Sequence, residues 1–156
     1  MNKFKIKVIS QANSFLAVLL FLTIVFPLLL LRNKFLPTPL GTGYAILLTI
    51  PFAFLFYFIF QKLATGRTEW YIDDSGVSII WTKKFMLSKV KNINLKWEEI
   101  EKFKKGFDPN YYILHIYLVA GRSITFIHSY FTIRDDFENL LKALYQTFDE
   151  KRTKKN

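Results

Sequence analysis

The sequence predicts an α+β membrane protein, with an N-terminal transmembrane helical hairpin followed by a domain of strands closed by one helix. The uncharged stretches 8–31 and 35–61 are each long enough to cross a hydrocarbon layer about 30 Å thick. After Lys62 the chain changes to alternating apolar and polar residues, which is typical of strands. The predicted division is a hairpin at 1–62 with spans at about 10–31 and 43–61, a domain at 63–150, and a disordered basic tail at 151–156.

The distribution of basic residues predicts the orientation of the hairpin. Lys3, Lys5 and Lys7 precede the first stretch, whereas the loop between the stretches offers only Arg32 and Lys34. Many more lysines follow the second stretch, so both termini are expected in the cytoplasm of a multi-pass protein of the cell (inner) membrane. A secretory signal is the competing interpretation of residues 1–31, but the apolar run is long and no small-x-small cleavage pattern follows it.

Composition limits the chemistry that the chain can perform. The absence of Cys excludes disulfides, thiolate catalysis and Cys-based zinc sites. Neither uncharged stretch contains Asp, Glu, Lys, Arg or His, which argues against a transporter or pump. The formal net charge of +10 fits the orientation rule and attraction to anionic lipid, and no recognised motif supports binding of nucleic acid.

The domain after Lys62 is predicted to contain short strands and one amphipathic helix. A turn at Asp73–Gly76 and another at Gly121-Arg122 each join a pair of strands. The helix is predicted to begin with Thr132 as its N-cap. The predicted strands are 69–72, 77–82, 85–90, 92–97, 111–119 and 123–128. The predicted apolar face of the helix consists of Ile133, Phe137, Leu140, Leu141, Leu144 and Phe148.

Two short motifs give a family resemblance. Asp73-x-x-Gly76-Val77 ends the first predicted strand, and Trp97-x-x-Ile100 forms a corner before the last hairpin and the closing helix. This order resembles the bacterial pleckstrin-homology-like domains, which are bent β-sheets or barrels closed by a C-terminal helix and often follow membrane spans. The resemblance covers about residues 68–148 and implies a binding or scaffolding role without catalysis. Because the predicted first turn contains Asp73 and Asp74, phosphoinositide binding there is not expected.

Few residues offer candidate chemistry. His115 and His128 lie on the two arms of one predicted hairpin and could stand opposite each other. Two histidines without a third ligand favour strand packing over a metal site. Since no serine has the surroundings of a hydrolase nucleophile, the prediction is a protein that is not an enzyme and has no metal and no cofactor.

A segment rich in lysine and phenylalanine is the most suggestive surface. It is predicted to be a loop before the strand 111–119 and could rest on an anionic membrane surface. The alternative is a solvated loop with core-facing rings. The candidate contact residues are Lys102, Phe103, Lys104, Lys105 and Phe107.

Two functions are consistent with these observations. The first is a non-enzymatic integral membrane protein that presents a pleckstrin-homology-like domain to a protein partner, to a second copy of itself or to membrane lipids. The second is a small immunity or regulatory protein that neutralises a toxin or modulates a membrane enzyme.

Overall fold

The chain is divided into a sheet unit and a helix pair. The computed structural model describes residues 2–35, 42–86, 88–108, 111–129 and 135–153. The sheet unit consists of Met1–Ile9 and Gly66–Asn156, and the helix pair consists of Ser10–Thr65. In sequence, the helix pair is therefore inserted between the first strand of the sheet unit and the rest of that unit. The predicted division assigned residues 1–62 to the hairpin alone.

The sheet unit contains a seven-stranded open antiparallel sheet and one C-terminal helix. Its spatial order is β4-β3-β2-β1-β7-β6-β5, so the strand at the N-terminus lies in the middle of the sheet. The strands are β1 (Asn2–Ile9), β2 (Thr65–Ile72), β3 (Gly76–Lys83), β4 (Ile93–Lys96), β5 (Ile100–Asp108), β6 (Tyr111–Leu118) and β7 (Ser123–Ser129).

Strand β1 belongs to the sheet. The sequence predicted this segment to be the basic flank of a membrane span. Its lysines alternate with apolar residues, and Ile6 and Val8 are buried in the core. Val8 stands opposite His128 of β7, and the hydroxyl of Thr68 in β2 donates to the carbonyl of Ile6 at 3.4 Å. The period of two in this segment places one face of the strand in the core and leaves the lysines on the other.

Strand β5 replaces the predicted Lys-rich loop. It pairs with β6 from Ile100 to Asp108, with a register shift between Ile100 and Lys102. A bulge of this kind lets Ile100 and Phe103, three residues apart, both face the core. The same shift interrupts the simple alternation in the sequence, which explains why the segment was predicted to be a loop.

The connection between β3 and β4 also differs from the prediction. Among its described residues, the segment 85–90 contains no strand, so the strand expected there is wrong. The backbone N–H of Ser88 donates to the carbonyl of Phe85, which is a turn contact rather than a strand pairing. The Trp97 corner is a short 3-10 helix at Trp97–Glu99 that leads directly into β5.

The closing helix α3 (Phe137–Thr153) packs its apolar face onto the sheet. Phe137, Leu140, Leu141 and Leu144 are buried in this contact, as the helical spacing predicted. The expected N-cap Thr132 and the apolar Ile133 lie outside the described residues. Residues 151–153 continue the helix, so this part of the predicted disordered tail is corrected.

The core of the sheet unit is built around Trp70, which is fully buried. Its ring meets Phe126 edge-on at 4.8 Å between centroids, and its Nε1 donates to the Thr68 hydroxyl at 2.9 Å. Because the indole N–H has a partner, this large aromatic group is buried without an unsatisfied donor. On the α3 side of the core, the ring of Phe103 packs against the rings of Tyr145 and Phe148.

The helix pair consists of α1 (Gln11–Phe35) and α2 (Thr42–Leu63). The Ser10 hydroxyl accepts the backbone N–H of Asn13 and caps the start of α1, and the Asn13 amide donates to the carbonyl of Leu63 at 3.0 Å. These contacts and the Phe21–Phe56 ring pair show that the helices run antiparallel. By length and composition, one described stretch, Gln11–Leu28, could cross a membrane, and the apolar stretch Ile50–Leu63 is shorter.

Candidate functional site

The predicted surface residues on β5 do not form one patch. Phe103 is 8% exposed and lies in the core, so it is corrected from a surface contact to a packing residue. Lys102 and Lys104 share the face opposite to Phe103, with Lys102 over the Tyr117 ring at 5.1 Å. Alternation along the strand therefore separates these two lysines from the other predicted residues.

The remaining two predicted residues lie on the α3 side of the sheet. Lys105 forms an ion pair with Glu138 at 3.0 Å and lies over the Tyr112 ring at 4.4 Å. Phe107 is 71% exposed and has its ring centroid 6.0 Å from that of Tyr112. The structure thus brings Lys105 and Phe107 together beside Tyr112, and it engages the lysine in contacts within the domain.

The two histidines occupy different environments and do not stand opposite each other. His115 pairs with Thr125 in the register of β6 and β7, and its Nδ1 lies 3.0 Å from the Thr125 hydroxyl. His128 pairs with Tyr112 and is buried. The expectation that they could meet across the hairpin is wrong, because the register offsets them along the strands.

A polar junction at the start of α3 is the feature that sequence reasoning missed. The Nε2 of His128 lies 2.7 Å from Oδ2 of Asp135, and the His128 ring stacks on the Phe137 ring at 4.3 Å between centroids. The same carboxylate accepts the backbone N–H groups of Lys7 and Phe137. Asp135 therefore connects β1, β7 and α3 through one side chain.

The charge state of Asp135 follows from these contacts. Burial alone would raise the pKa of this carboxyl, but the hydrogen bond with His128, the backbone N–H groups of Lys7 and Phe137, and the charge of His128 lower it. The net effect holds the pKa of Asp135 below its ordinary value, so the carboxylate form is the one that the junction stabilises.

Asp136 adds a second connection at the same point. Its Oδ2 accepts the backbone N–H of Lys5 at 2.9 Å, and its own N–H donates to the carbonyl of Lys5 at 3.2 Å. Its carbonyl accepts the N–H of Leu140, so Asp136 takes part in the helical hydrogen bonding of α3. The two aspartates therefore link the beginning of α3 to the backbone of β1.

The acidic turn at Asp73 joins β2 to β3 and is not the first connection of the sheet. Oδ1 of Asp73 accepts the Ser75 hydroxyl, the Ser75 N–H and the Gly76 N–H at 2.6 to 3.0 Å. These hydrogen bonds hold the pKa of Asp73 below its ordinary value. Since β1 precedes β2, this turn follows the second strand of the sheet in chain order.

A cleft of about 560 Å³ opens where the Trp97 corner faces the end of α3. Trp97 and Phe148 contribute apolar rings, whose centroids are 6.4 Å apart. Lys151 forms an ion pair with Asp74 across the cleft at 2.8 Å. The remaining lining residues are Ser75, Lys96, Glu98, Ile100, Glu101 and Arg152. Apolar rings with charges of both signs around them can contact a protein surface or peptide of mixed charge.

Among the residues that the structure describes, no group of three or more His, Cys, Asp or Glu side chains could hold a metal ion. Comparison of the chain with protein-family models, with curated proteins and with solved structures gives no match.

Proposed function

We propose that this chain is an integral membrane protein in which a transmembrane helical hairpin is inserted between two strands of a pleckstrin-homology-like sheet. The sheet serves as a non-enzymatic binding module for a protein partner at the cytoplasmic face of the membrane. The observation that carries this proposal is the order of elements: β1, α1, α2 and β2 follow each other in the chain, and β1 and β2 are neighbours in one sheet.

This order requires an even number of membrane crossings. If α1 crosses the bilayer and α2 does not, β1 and β2 end on opposite sides and cannot be neighbours in one sheet. With 22 residues at about 1.5 Å each, α2 is about 33 Å long, which is enough to return across a hydrocarbon layer of about 30 Å. Residues 42–61 of α2 carry no charged side chain.

The same order argues against the two other roles of an apolar helix near an N-terminus. A core helix of a water-soluble protein is mostly buried, but only 6% of the Gln11–Leu28 stretch is buried. A cleaved signal sequence would take β1 away with it and leave a gap between β2 and β7. A retained hairpin is the interpretation that keeps the sheet intact.

The fold of the sheet unit supports the pleckstrin-homology-like resemblance at the level of architecture. An antiparallel sheet with a C-terminal helix on its core is in keeping with what that resemblance implies. The cleft beside Trp97 supplies the proposed contact area for a protein partner, because it combines apolar rings with charged groups of both signs.

Cysteine labelling tests the topology directly, because the chain has no native cysteine. Single variants Thr38→Cys, between α1 and α2 in the sequence, and Ala120→Cys, in the exposed turn after β6, are treated with an impermeant maleimide. We expect Thr38→Cys to react in intact cells and Ala120→Cys to react only after the membrane is opened. An Asn2→Cys variant should behave as Ala120→Cys does, since both lie in the sheet unit.

The outcomes separate the parts of the proposal. Protection of both Thr38→Cys and Ala120→Cys in intact cells would mean that the helix pair does not cross the membrane. Reaction of Ala120→Cys in intact cells would reverse the orientation. Opposite behaviour of Asn2→Cys and Ala120→Cys would contradict a sheet in which the N-terminal strand is central.

Affinity capture from native membranes tests the binding role. A double variant, Glu98→Lys with Arg152→Glu, changes the charges around the cleft without altering the net charge. We expect it to lose the captured partner, whereas Lys104→Gln on the exposed edge strand should retain it. Equal capture by both variants would remove the cleft from the proposal.

A further inference from the structure

The end of the sheet at which the chain leaves for α1 and returns from α2 carries several cations. Arg67 of β2 stands opposite Lys83 at the end of β3. Lys7 lies near the end of β1, the other neighbour of β2. Burial lowers the pKa of both lysines, and the charge of Arg67 lowers them further. We call Lys7, Arg67 and Lys83 the basic end of the sheet. Their positive charges repel one another and favour an anion beside them.

The carboxylate that acts on Lys7 already has other partners. Asp135 raises the pKa of Lys7, but its oxygens accept hydrogen bonds from His128 and from two backbone N–H groups. Within the described residues, neither Lys7 nor Arg67 has a carboxylate within ion-pair distance. The charges of Lys7 and Arg67 are thus only partly neutralised by the domain itself.

The segment that follows β3 extends this surface. No Asp or Glu occurs between Gly76 and Trp97, and lysines occupy positions 83, 84, 89, 91 and 96. The Phe85 ring packs on the Trp81 ring at 5.2 Å between centroids, whereas the Met86 side chain is 52% exposed. Cations beside an exposed apolar side chain are typical of a surface that rests on anionic lipid.

The sequence limits how far these residues can lie from a membrane that contains the helices. Lys7 is four residues before Gln11, the first residue of α1, and Arg67 is four residues after Leu63, the last residue of α2. Four residues of extended chain reach about 14 Å at most. The polar layer of a bilayer adds roughly 5–8 Å on each side of the hydrocarbon core, so headgroups are within reach of both side chains.

We infer that Lys7, Arg67 and Lys83 bind the phosphate groups of anionic phospholipids, and that Lys84, Met86, Lys89 and Lys91 rest on the same leaflet. This inference depends on the proposed transmembrane hairpin. It places the lipid contact on the β1–β2–β3 end of the sheet and not on the β5 residues that the sequence suggested.

The test uses the full chain in proteoliposomes with a single environment-sensitive fluorophore on Met86→Cys, since no other cysteine is present. A nitroxide attached to lipid headgroups quenches the fluorophore when position 86 rests on the surface. We expect quenching to be weak in phosphatidylcholine, to increase with the fraction of phosphatidylglycerol, and to fall as salt rises.

Charge variants then compare the two candidate surfaces. Each cation removed should lower the ratio of docked to undocked sheet about 5-fold, so the triple change Lys7→Gln, Arg67→Gln, Lys83→Gln should lower it roughly 100-fold. The matched control Lys102→Gln, Lys104→Gln, Lys105→Gln removes the same charge from β5 and should leave the quenching unchanged. A variant with Lys7→Arg, Arg67→Lys and Lys83→Arg keeps the charge and should dock as the parent does.

A second probe separates this inference from the proposed function. Leu22, which is 52% exposed in α1, is changed to Cys, labelled, and challenged with a nitroxide on the lipid acyl chain. Quenching at position 22 without quenching at position 86 overturns the lipid contact and leaves the hairpin intact. No quenching at position 22 overturns the hairpin, and the lipid contact falls with it. Loss of quenching at position 86 in the β5 triple variant alone would move the contact to β5.

Discussion

The sheet unit buries its large apolar side chains, whereas the helix pair exposes many of its own. In the sheet unit Trp70 and Leu114 are fully buried, and the charged residues lie outside the core. In the helix pair Phe15 and Phe54 expose 67% and 71% of their surfaces. The same kind of side chain is therefore inside one unit and outside the other.

Under the proposed function, the difference reflects the solvent that surrounds each unit. A buried core around Trp70 is stabilised when water surrounds the domain, because apolar area is removed from water. Among the described side chains of the helix pair, the apolar cluster is small and consists of Ala17, Ile59 and Leu63, with Leu55 and Phe60 packed beside it. Exposed rings on such a pair are favourable in hydrocarbon, and two helices alone could not bury them.

The largest expected effect on stability appears when the same type of substitution, Phe to Ala, is made once in each unit and the two variants are compared. Phe126→Ala removes a ring that is 5% exposed and packed against Trp70 and Trp81, and it should lower the free energy of unfolding by about 3–5 kcal/mol. Phe54→Ala removes an exposed ring and should change the stability of the sheet by less than about 0.5 kcal/mol.

Tryptophan fluorescence during urea unfolding of the detergent-solubilised protein measures this difference. All three tryptophans lie in the sheet unit, at positions 70, 81 and 97, so the signal reports that unit. Equal losses for Phe126→Ala and Phe54→Ala would contradict the proposal of a water-stabilised sheet and a lipid-facing helix pair.

A smaller effect is expected at the polar junction of the sheet unit. Asp135→Asn weakens the contacts with His128, Lys7 and Phe137 and should cost about 1–3 kcal/mol at neutral pH. Because the folded-state pKa of Asp135 is lowered, its contribution is fully present above the ordinary Asp value of about 3.9. The contribution is lost as the pH falls through the lowered value.

The pH dependence identifies the carboxylate as the cause. Stability of the parent chain should decrease more steeply in acid than that of Asp135→Asn, and the two curves should converge at the lowest pH. Glu150→Gln, on an exposed part of α3, should retain the slope of the parent. Parallel curves for the parent and Asp135→Asn would mean that the junction contributes through shape and not through charge.

The sequence predicted those parts of the fold in which one local pattern determines one structure. The hairpin of β6 and β7 alternates regularly about Gly121, whose φ of +77° suits the turn. The amphipathic spacing of α3 was read correctly from Phe137 to Phe148. In both cases, the neighbours along the chain are also the partners in space.

Other parts depend on partners that are distant in the chain. Strand β1 alternates lysines with Phe4, Ile6 and Val8, but a basic segment before an apolar run also fits the flank of a span. Its partners β2 and β7 lie more than 50 and 110 residues away, so no local signal links them. The Asp135 junction was missed for the same reason, because Lys7 and His128 meet it from two different strands.

The smallest expected effect concerns the ion pairs at the surface of the sheet unit. Lys105 is 3.0 Å from Glu138 and lies over the Tyr112 ring, but the two charged side chains remain 37% and 59% exposed. Water and salt screen such a pair, so Lys105→Gln should cost about 0.2–1 kcal/mol. Lys104→Gln, on the opposite face of the same strand, should be nearly neutral.

A double-mutant cycle with Glu138→Gln isolates the pair from its surroundings. The coupling energy between Lys105 and Glu138 should be below about 1 kcal/mol and should decrease as salt is added. The cation–π contact between Lys105 and the Tyr112 ring is retained in Glu138→Gln. If Lys105→Gln lowers the free energy of unfolding by more than the coupling energy, the difference reports that contact. If the pair alone cost as much as Phe126→Ala, surface charge and not core packing would be what distinguishes the sheet unit from the helix pair.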